Sequence, residues 1–415
     1  MPRDIGRRRL ALVLLAALAL AAGTAGVVVG AARDDDGDET AGVPTPGRGK
    51  PQERISFLAR IVPPPAEAER RGGGPAVPRS VRDLARRLPV ERKVAQLFLV
   101  GFRGTDLTSE VFGRLRRLDL GGIVIGAQNY VDQTQLAELA GEAAAISRSE
   151  RHVPPWVLAV QEGADLNSFP DLPPSAAAAD LASAAEAGAG ARESANALRQ
   201  LGIVGVLGPD VDVGTETGSA LGARVYSDDP EEVARYAEAT VNAYRDRHVF
   251  SAAKHFPGLG AADQSTEEGP ASVGLGLDEL TQRDLVPFEA AVDAGVPGIV
   301  IGHALYPFSD FTTPASLSRQ VATDMLRKQL RFKGVAITDD LSDPAITAIS
   351  TVPDAAVQAI QAGADMLWIS GTAGDQQAAY VAVLRAVQRG AISRRRLDSA
   401  VGRVLLAKQD YDLIR

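Results

Sequence analysis

The interpretation of this chain depends on one stretch, Ala253-Lys254-His255-Phe256-Pro257-Gly258-Leu259-Gly260. It follows an apolar run over residues 248–252 that is typical of a buried strand. Two polar side chains therefore lie where this strand ends, and Pro-Gly-x-Gly predicts a turn after them. In a parallel β/α barrel, the loops at this end of the strands build the active site. The pattern predicts a functional site, and a solvated Lys beside a structural His is the simpler alternative.

Similar apolar runs recur on both sides of this stretch, separated by amphipathic segments. We predict eight strands, at residues 94–101, 122–126, 156–160, 204–207, 250–253, 298–301, 334–337 and 366–369. The predicted helices are residues 133–147, 178–199, 230–245, 277–294, 320–329, 352–361, 376–389 and 394–408. Continuous apolar strands that alternate with helices indicate a parallel sheet covered on both faces. We therefore predict an α/β fold, a single (β/α)8 TIM-type barrel over residues 81–415. A doubly wound open sheet is the alternative, but no GxGxxG or GxxxxGK[ST] motif follows any strand.

The first 80 residues predict a different organisation. Four arginines within the first nine residues precede an uncharged apolar run over residues 10–32. A membrane-spanning helix needs about 20 such residues, so we favour an uncleaved anchor slightly over a cleaved signal peptide, whose apolar core is shorter. Both place the following domain outside the cytoplasmic membrane, because the positive side stays inside. Residues 33–80, rich in Asp, Pro, Gly and Arg, predict a flexible linker.

Composition excludes several classes of function. The net charge is −8, and no Lys/Arg-rich block lies beyond the first ten residues, so nucleic acid is not an expected partner. The absence of cysteine excludes disulfides, thiolate metal sites and a cysteine nucleophile. The four histidines lie far apart, without HxH or HxxxH spacing. We therefore expect no metal and no other cofactor.

A pair of aspartates, Asp339 and Asp340, follows the seventh predicted strand. A carboxylate at a strand end of a barrel can act as a nucleophile or a general base. The alternative is a helix N-cap, for which Asp is well suited. Two adjacent aspartates can fill both roles. Because Asp339 comes first after the strand, we predict that it lies in the pocket and that Asp340 holds the loop.

Several motifs together carry a resemblance to a known family. They are RKVAQL at residues 92–97, GPDVDV at 208–213, LGARVYS at 221–227, KHFPGLG at 254–260, IGHALYP at 301–307 and ITDDLSD at 337–343. In their order and spacing, over about residues 85–410, they resemble the bacterial β-N-acetylglucosaminidases of glycoside hydrolase family 3. The resemblance implies a single barrel domain that releases terminal β-linked N-acetylglucosamine, often from peptidoglycan fragments, with retention of configuration and without a metal.

The resemblance also implies roles for individual residues. Asp339 matches the nucleophile that forms the glycosyl-enzyme intermediate. The other matching positions are expected to bind the sugar, and they are Lys254, His255, Arg224, Glu162 and His303. The chemistry requires a carboxylate on one face of the anomeric carbon and a proton donor on the other. In retaining enzymes these groups lie about 5–5.5 Å apart when both are carboxyls.

The chain departs from the family pattern in two places. The family usually has KHFPGHG and, after four further residues, Asp-Ser-His, whose Asp and His form the acid/base pair. This chain has Leu259 in place of the first His, and Ser265-Thr266-Glu267 in place of Asp-Ser-His. The family's Asp-Gln-Glu-Gly-Gly-Arg is replaced by Val160-Gln161-Glu162-Gly163-Ala164-Asp165. A carboxylate that would bind the distal hydroxyls of the sugar is therefore missing.

Two interpretations follow from these departures. In the first, Glu267 replaces the histidine as acid/base, because a Glu near the ionised Asp339 would have its pKa raised. In the second, Glu267 is a solvated loop residue and the barrel is an inactive glycan-binding module of the cell envelope. We favour the enzyme, because the nucleophile and the sugar-contacting cations are retained. We expect an extracytoplasmic monomer, membrane-anchored or secreted, that acts on β-linked amino sugars of the cell wall.

Overall fold

The computed structural model describes residues 78–215, 217–309 and 312–414. The predicted anchor, residues 1–32, lies outside the described residues, as does the predicted linker up to residue 77. The first described helix begins at Arg79, close to the predicted start of the barrel at residue 81. Within the described ranges, none of the helices combines the length and the apolar character that crossing a membrane requires.

Eight parallel strands form the sheet. They are β1 (Phe98–Val100), β2 (Gly122–Val124), β3 (Trp156–Ala159), β4 (Gly205–Val206), β5 (Phe250–Phe256), β6 (Gly298–Ile301), β7 (Val335–Thr338) and β8 (Leu367–Ile369). Neighbouring strands pair in the order β7-β6-β5-β4-β3-β2-β1-β8. An isolated bridge between Ile337 and Met366 joins β7 to β8. This bridge nearly closes the sheet into a cylinder, and the predicted TIM-type barrel is confirmed.

Helices surround this barrel. They are α1 (Arg79–Arg87), α2 (Val90–Ala95), α3 (Glu110–Arg117), α4 (Gln133–Ser149), α5 (Ala184–Gln200), α6 (Pro230–Asp246), α7 (Leu277–Gln282), α8 (Leu285–Asp293), α9 (Pro344–Thr347), α10 (Val352–Ala362), α11 (Ala373–Gln388) and α12 (Arg394–Asp410). A π-type helix spans Gln320–Gln329 between β6 and β7. Short 3-10 turns lie in the loops, at Ala127–Asn129, Ala164–Leu166, Ala178–Asp180, Gly222–Arg224, Pro307–Ser309 and Ala315–Leu317.

Several predicted boundaries were wrong, and packing explains three of them. The first strand was predicted from residue 94, but α2 continues to Ala95, since a short apolar run suits a buried helix as well as a strand. The segment 178–199 becomes a helix only after Ser183, whose side chain caps α5. The segment 277–294 is two helices, and it breaks at Arg283, whose guanidinium turns to donate to the backbone carbonyls of Val213 and Gly214.

Strand β5 is longer than predicted, and this places its polar residues inside the barrel wall. All seven of its residues, Phe250–Phe256, are buried. Lys254 and His255 are therefore the last two residues before the final strand residue, Phe256, rather than the first residues of a loop. The turn that follows lies close to neighbouring backbone. Gly258 has φ +130°, and a Cβ at Gly260 would lie 2.0 Å from the carbonyl oxygen of Val213. The PGLG turn thus fixes the end of β5 against the loop after β4.

Candidate active site

Asp339 lies at the carboxyl end of β7, directly after Thr338, and only 6% of the residue is exposed. Its Oδ1 accepts a hydrogen bond from the Asp340 backbone N–H at 3.1 Å. Its Oδ2 lies 3.8 Å from Nε2 of His255. Burial acts to raise the pKa of Asp339, but positively charged His255 and further neighbours, Lys254 among them, hold it below its usual value. The site therefore contains a buried, ionised carboxylate whose Oδ2 accepts no hydrogen bond from the described residues.

His255 connects Asp339 to a second carboxylate, that of Asp212. The His255 Nδ1 lies 2.7 Å from Asp212 Oδ2, and the backbone N–H of His255 donates to the same oxygen at 3.1 Å. The other oxygen of Asp212 accepts from the Leu259 backbone N–H. Burial lowers the pKa of His255, but Asp339 and Asp212 outweigh it and raise the pKa to about 9. The imidazole is therefore cationic at neutral pH and is held between two carboxylates.

Lys254 and Arg224 meet at a shared carboxylate, that of Glu162. Lys254 is 4% exposed and forms a close ion pair with Glu162, whose second oxygen lies 3.3 Å from Arg224 Nε. Burial opposes the charge of Lys254, yet Glu162 and Asp210 raise its pKa above the usual value. Burial also lowers the pKa of Arg224, but Glu162 and Glu267 outweigh burial and raise this pKa above its usual value. Glu162, predicted to bind the sugar, thus serves two cations.

Glu267, the predicted acid/base, lies at the outer edge of this group. Its side chain is 58% exposed, and its Oε1 accepts a hydrogen bond from Arg224 Nη1 at 2.8 Å. The residue before it, Thr266, is buried, and its carbonyl oxygen accepts from the Ala345 backbone N–H at 3.2 Å. The loop is therefore attached to α9 through Thr266, with the carboxylate of Glu267 turned toward Arg224.

His303 and Asp340 support the loop that carries Asp339. His303 is 1% exposed, and its Nε2 donates to the Asp340 carbonyl oxygen at 2.9 Å, since a carbonyl only accepts. Its Nδ1 lies 2.8 Å from Ser316 Oγ. Burial lowers the pKa of His303, so the ring is neutral. The Asp340 carboxylate accepts backbone N–H groups of Ser342 and Ser370. Both ring nitrogens of His303 are thus already paired with protein groups.

Two groups of three residues each have one potential ligand atom per residue within 4.8 Å of the others, which is close enough for a metal ion to be considered. They are Asp210, Asp212 and His255, and His303, Asp339 and Asp343. In the first cluster the His255 ring is cationic, because Asp339 and Asp212 raise its pKa. A cationic imidazole cannot bind a metal ion. In the second, Nε2 of His303 carries a proton and Nδ1 faces Ser316 Oγ. The histidine rings of both clusters are thus engaged by protein groups.

The sequence analysis missed two residues of this site, Asp212 and Asp343. Asp212 belongs to the GPDVDV motif after β4, so its place at a strand end was an available signal. Asp343 ends the ITDDLSD motif, and it occupies the N-cap position of α9 without a side-chain capping bond. Its side chain is half-buried, and burial followed by Asp339 and Asp340 raises its pKa to about 9. Asp339 is therefore ionised and Asp343 protonated at neutral pH.

The chain resembles known proteins over the same region. The family described as "Glycosyl hydrolase family 3 N terminal domain" matches residues 89–407. A "Beta-hexosaminidase" of Nitrosomonas eutropha is 31% identical over 287 residues, 65% of this chain and 79% of the relative.

Two solved structures extend this similarity. A family 3 β-N-acetylglucosaminidase from a Paenibacillus strain is 31% identical with a TM-score of 0.75, and the match covers 79% of this chain and 63% of that one. A β-N-acetylhexosaminidase from Beutenbergia cavernae is 29% identical with a TM-score of 0.68, and the match covers 78% of this chain and 99% of that one.

Proposed function

The chain belongs to glycosyl hydrolase family 3 and is a glycosidase, and from this premise we propose that it removes terminal β-linked N-acetylglucosamine. A related β-hexosaminyl or glucosyl residue is the nearest alternative substrate. The observation that carries the proposal is the buried, ionised Asp339 at the carboxyl end of β7, with one oxygen 3.8 Å from cationic His255. The printed names of the relatives, a beta-hexosaminidase and a β-N-acetylglucosaminidase, support the choice of sugar.

The reaction proceeds by double displacement with retention of configuration. An oxygen of Asp339 attacks the anomeric carbon and forms a glycosyl ester, while the bond to the leaving oxygen breaks. Water then attacks the same carbon from the opposite face and releases Asp339 as a carboxylate. The low pKa of Asp339 supports this role, because the nucleophile must be ionised before the substrate arrives.

The sugar is held by the donors that surround Asp339. Lys254 and His255 are buried cations at the end of β5, and we assign them the hydroxyl groups nearest the anomeric carbon. Arg224 lies farther out and is 24% exposed, where it can reach a more distal group. Glu162 acts through these residues, since it pairs with both Lys254 and Arg224. Charge-assisted hydrogen bonds of this kind are roughly twice as strong as neutral ones.

We place the reaction outside the cytoplasmic membrane, on peptidoglycan or fragments of it, with the enzyme a monomer anchored or secreted through its N-terminus. The support is the arginine-flanked apolar run over residues 10–32. Deleting residues 1–32 is expected to move the protein from the membrane pellet to the soluble fraction, or to abolish its secretion. An unchanged distribution would remove the support for this location.

The test of the function is hydrolysis of aryl sugars by the full chain. Wild type is expected to cleave dinitrophenyl β-N-acetylglucosaminide, whose leaving group needs no proton, faster than the matching β-glucoside. Asp339→Asn removes the nucleophile and is expected to lower kcat/KM by roughly 10,000-fold or more. NMR of the first-formed product is expected to show the β-anomer.

The same experiment can favour the other interpretation of the sequence. If wild type leaves even the dinitrophenyl sugars intact but binds glycan fragments, the barrel is a binding module. If the α-anomer forms first, the double displacement is wrong and Asp339 acts as a general base.

A further inference from the structure

The reaction proposed above needs a proton donor for its leaving group, and the inference below rests on that proposed function. Glu267 stands where the family has its acid/base residue, but in the structure it is 58% exposed and pairs with Arg224 at 2.8 Å. Its carboxylate is therefore engaged by a guanidinium at the solvent-exposed edge of the site. A second carboxyl group, that of Asp343, lies within 4.8 Å of the nucleophile.

Asp343 lies close to the nucleophile, as the second carboxyl group of a retaining glycosidase must. Its carboxyl group comes within 4.8 Å of the Asp339 carboxylate and of a ring nitrogen of His303. Retaining glycosidases place their two carboxyl groups about 5–5.5 Å apart, so that one acts on each face of the anomeric carbon. The two aspartates are separated by only three residues, so the turn after β7 supplies both.

No structural role accounts for the Asp343 side chain. It occupies the N-cap position of α9, where an Asp usually accepts the backbone N–H of the second or third helical residue, yet it makes no such bond. Across the described residues, its carboxyl group has neither a hydrogen bond nor an ion pair within 4.0 Å. The group is left free beside Asp339.

The charges around Asp343 keep a proton on it. The groups that face it come from four segments, and they are Asp339 and Asp340 after β7, Glu267 after β5, Arg224 after β4 and His303 after β6. Burial is the largest influence, and the three carboxylates act in the same direction against Arg224, which raises the pKa of Asp343 to about 9. The carboxyl group is therefore protonated at neutral pH.

We infer that Asp343, rather than Glu267, is the general acid and base of this glycosidase. In the first step Asp339 forms its bond to the anomeric carbon, the bond from that carbon to the leaving oxygen breaks, and the leaving oxygen takes the proton of Asp343. In the second step the Asp343 carboxylate takes a proton from water as the water oxygen attacks the anomeric carbon. Asp339 departs with the electron pair of the ester bond, and both groups return to their starting states.

The change of role follows from the change of charge on Asp339. When Asp339 becomes a glycosyl ester, the negative charge nearest to Asp343 disappears, and the pKa of Asp343 falls. The Asp343 carboxyl group then loses its proton readily, and the resulting carboxylate can accept a proton from water. One residue can therefore act as the acid in the first step and the base in the second.

The test compares Asp343→Ala with Glu267→Gln in the full chain, using substrates that differ only in the leaving group. With phenyl β-N-acetylglucosaminide, whose leaving group needs a proton, Asp343→Ala is expected to lower kcat/KM by roughly 100- to 10,000-fold. With the dinitrophenyl sugar, kcat/KM is expected to fall less than about tenfold, since no general acid is needed. Glu267→Gln is expected to change kcat/KM less than about tenfold on both substrates.

Azide provides a second measurement that a merely structural role would not affect. In Asp343→Ala the space of the lost carboxyl group admits azide, which attacks the glycosyl-enzyme without a general base. Added azide is expected to speed turnover of the dinitrophenyl sugar and to form the β-glycosyl azide. Wild type and Glu267→Gln are expected to form none. Asp343→Asn, which is nearly isosteric, repeats the leaving-group comparison if the alanine variant does not fold.

Three outcomes would overturn the inference. Equal loss on both substrates, without azide rescue, would make Asp343 structural. If Glu267→Gln showed the leaving-group dependence and the azide rescue, Glu267 would be the acid. Wild type that fails on the dinitrophenyl sugar itself would refute the proposed function and, with it, the inference. That failure is recognised before any Asp343 variant is made.

Discussion

Two buried aspartates at opposite ends of the barrel show how similar chemistry can serve different purposes. Asp365 precedes β8 at the amino end, is fully buried, and accepts hydrogen bonds from Arg327, Arg396, Arg403 and the Ala336 backbone. Asp339, at the carboxyl end, accepts one bond, from the next residue in the chain. Both carboxylates are ionised, because cationic neighbours outweigh burial and lower the pKa of each.

The difference lies in how fully the oxygens are paired. Both oxygens of Asp365 accept hydrogen bonds from guanidinium groups, so this residue joins α12 and the π-type helix to the amino end of the barrel. Asp339 Oδ2 accepts no hydrogen bond from the described residues and faces only the more distant charge of His255, at 3.8 Å. An ionised carboxylate with unused capacity at the rim of the barrel is therefore a stronger sign of catalysis than burial or charge alone.

The largest expected difference between Asp365 and Asp339 is in how much their substitution changes the free energy of unfolding. Asp365→Asn leaves three guanidinium groups facing a neutral amide, and it is expected to lower the free energy of unfolding by about 3 kcal/mol. Asp339→Asn removes a charge that has fewer hydrogen bonds than Asp365, and it is expected to change the free energy of unfolding by less than about 1 kcal/mol. Urea denaturation of both variants measures this contrast. Equal destabilisation by the two substitutions would contradict the comparison.

Acid provides a second measurement of the same contrast. Burial raises the pKa of Asp365, but Arg403, Arg327 and Arg396 lower it to about 2. The stabilisation is therefore fully present above the unfolded pKa of about 4 and is lost as the pH falls through about 2. It amounts to about 2 kcal/mol. The free energy of unfolding of wild type should fall by this amount between pH 4 and 2, and that of Asp365→Asn should not show this decrease.

A smaller effect, on kcat, is expected when Asp212 is replaced. It tests whether a buried carboxylate with several hydrogen bonds always has a structural role. Asp212 is as fully paired as Asp365, but its partners are His255 and the backbone of the PGLG turn. Asp212→Asn is expected to lower kcat by roughly 10- to 100-fold, through loss of the His255 orientation, while KM changes little. It is a positioning residue.

The pH profile distinguishes this effect from simple destabilisation. Burial lowers the pKa of His255, whereas Asp339 and Asp212 raise it to about 9, so removing the charge of Asp212 moves that pKa downward. With the dinitrophenyl sugar, which needs no general acid, the alkaline limb of kcat/KM should shift to lower pH in Asp212→Asn. A variant with lower stability but an unshifted limb would show that Asp212 only supports the fold.

Much of the architecture could be predicted from local patterns. The eight strands, the barrel and the family are confirmed, because short apolar runs and their spacing record which segments are buried. Boundaries were less predictable. Helix α7 ends where Arg283 bonds to the backbone of a distant loop, and no pattern within residues 277–294 encodes that contact.

The sequence by itself determined the fold, the family and the presence of Lys254, His255 and Asp339 at the rim, because strand period and motif order are local properties. Only the tertiary structure decided how the carboxylates are paired. It places Glu267 beside Arg224, Asp212 beside His255, and Asp343 beside Asp339, where no described residue pairs with the Asp343 carboxyl group. The reason is physical. The state of a carboxyl group depends on charges a few ångströms away, and loop packing brings those charges from remote parts of the chain.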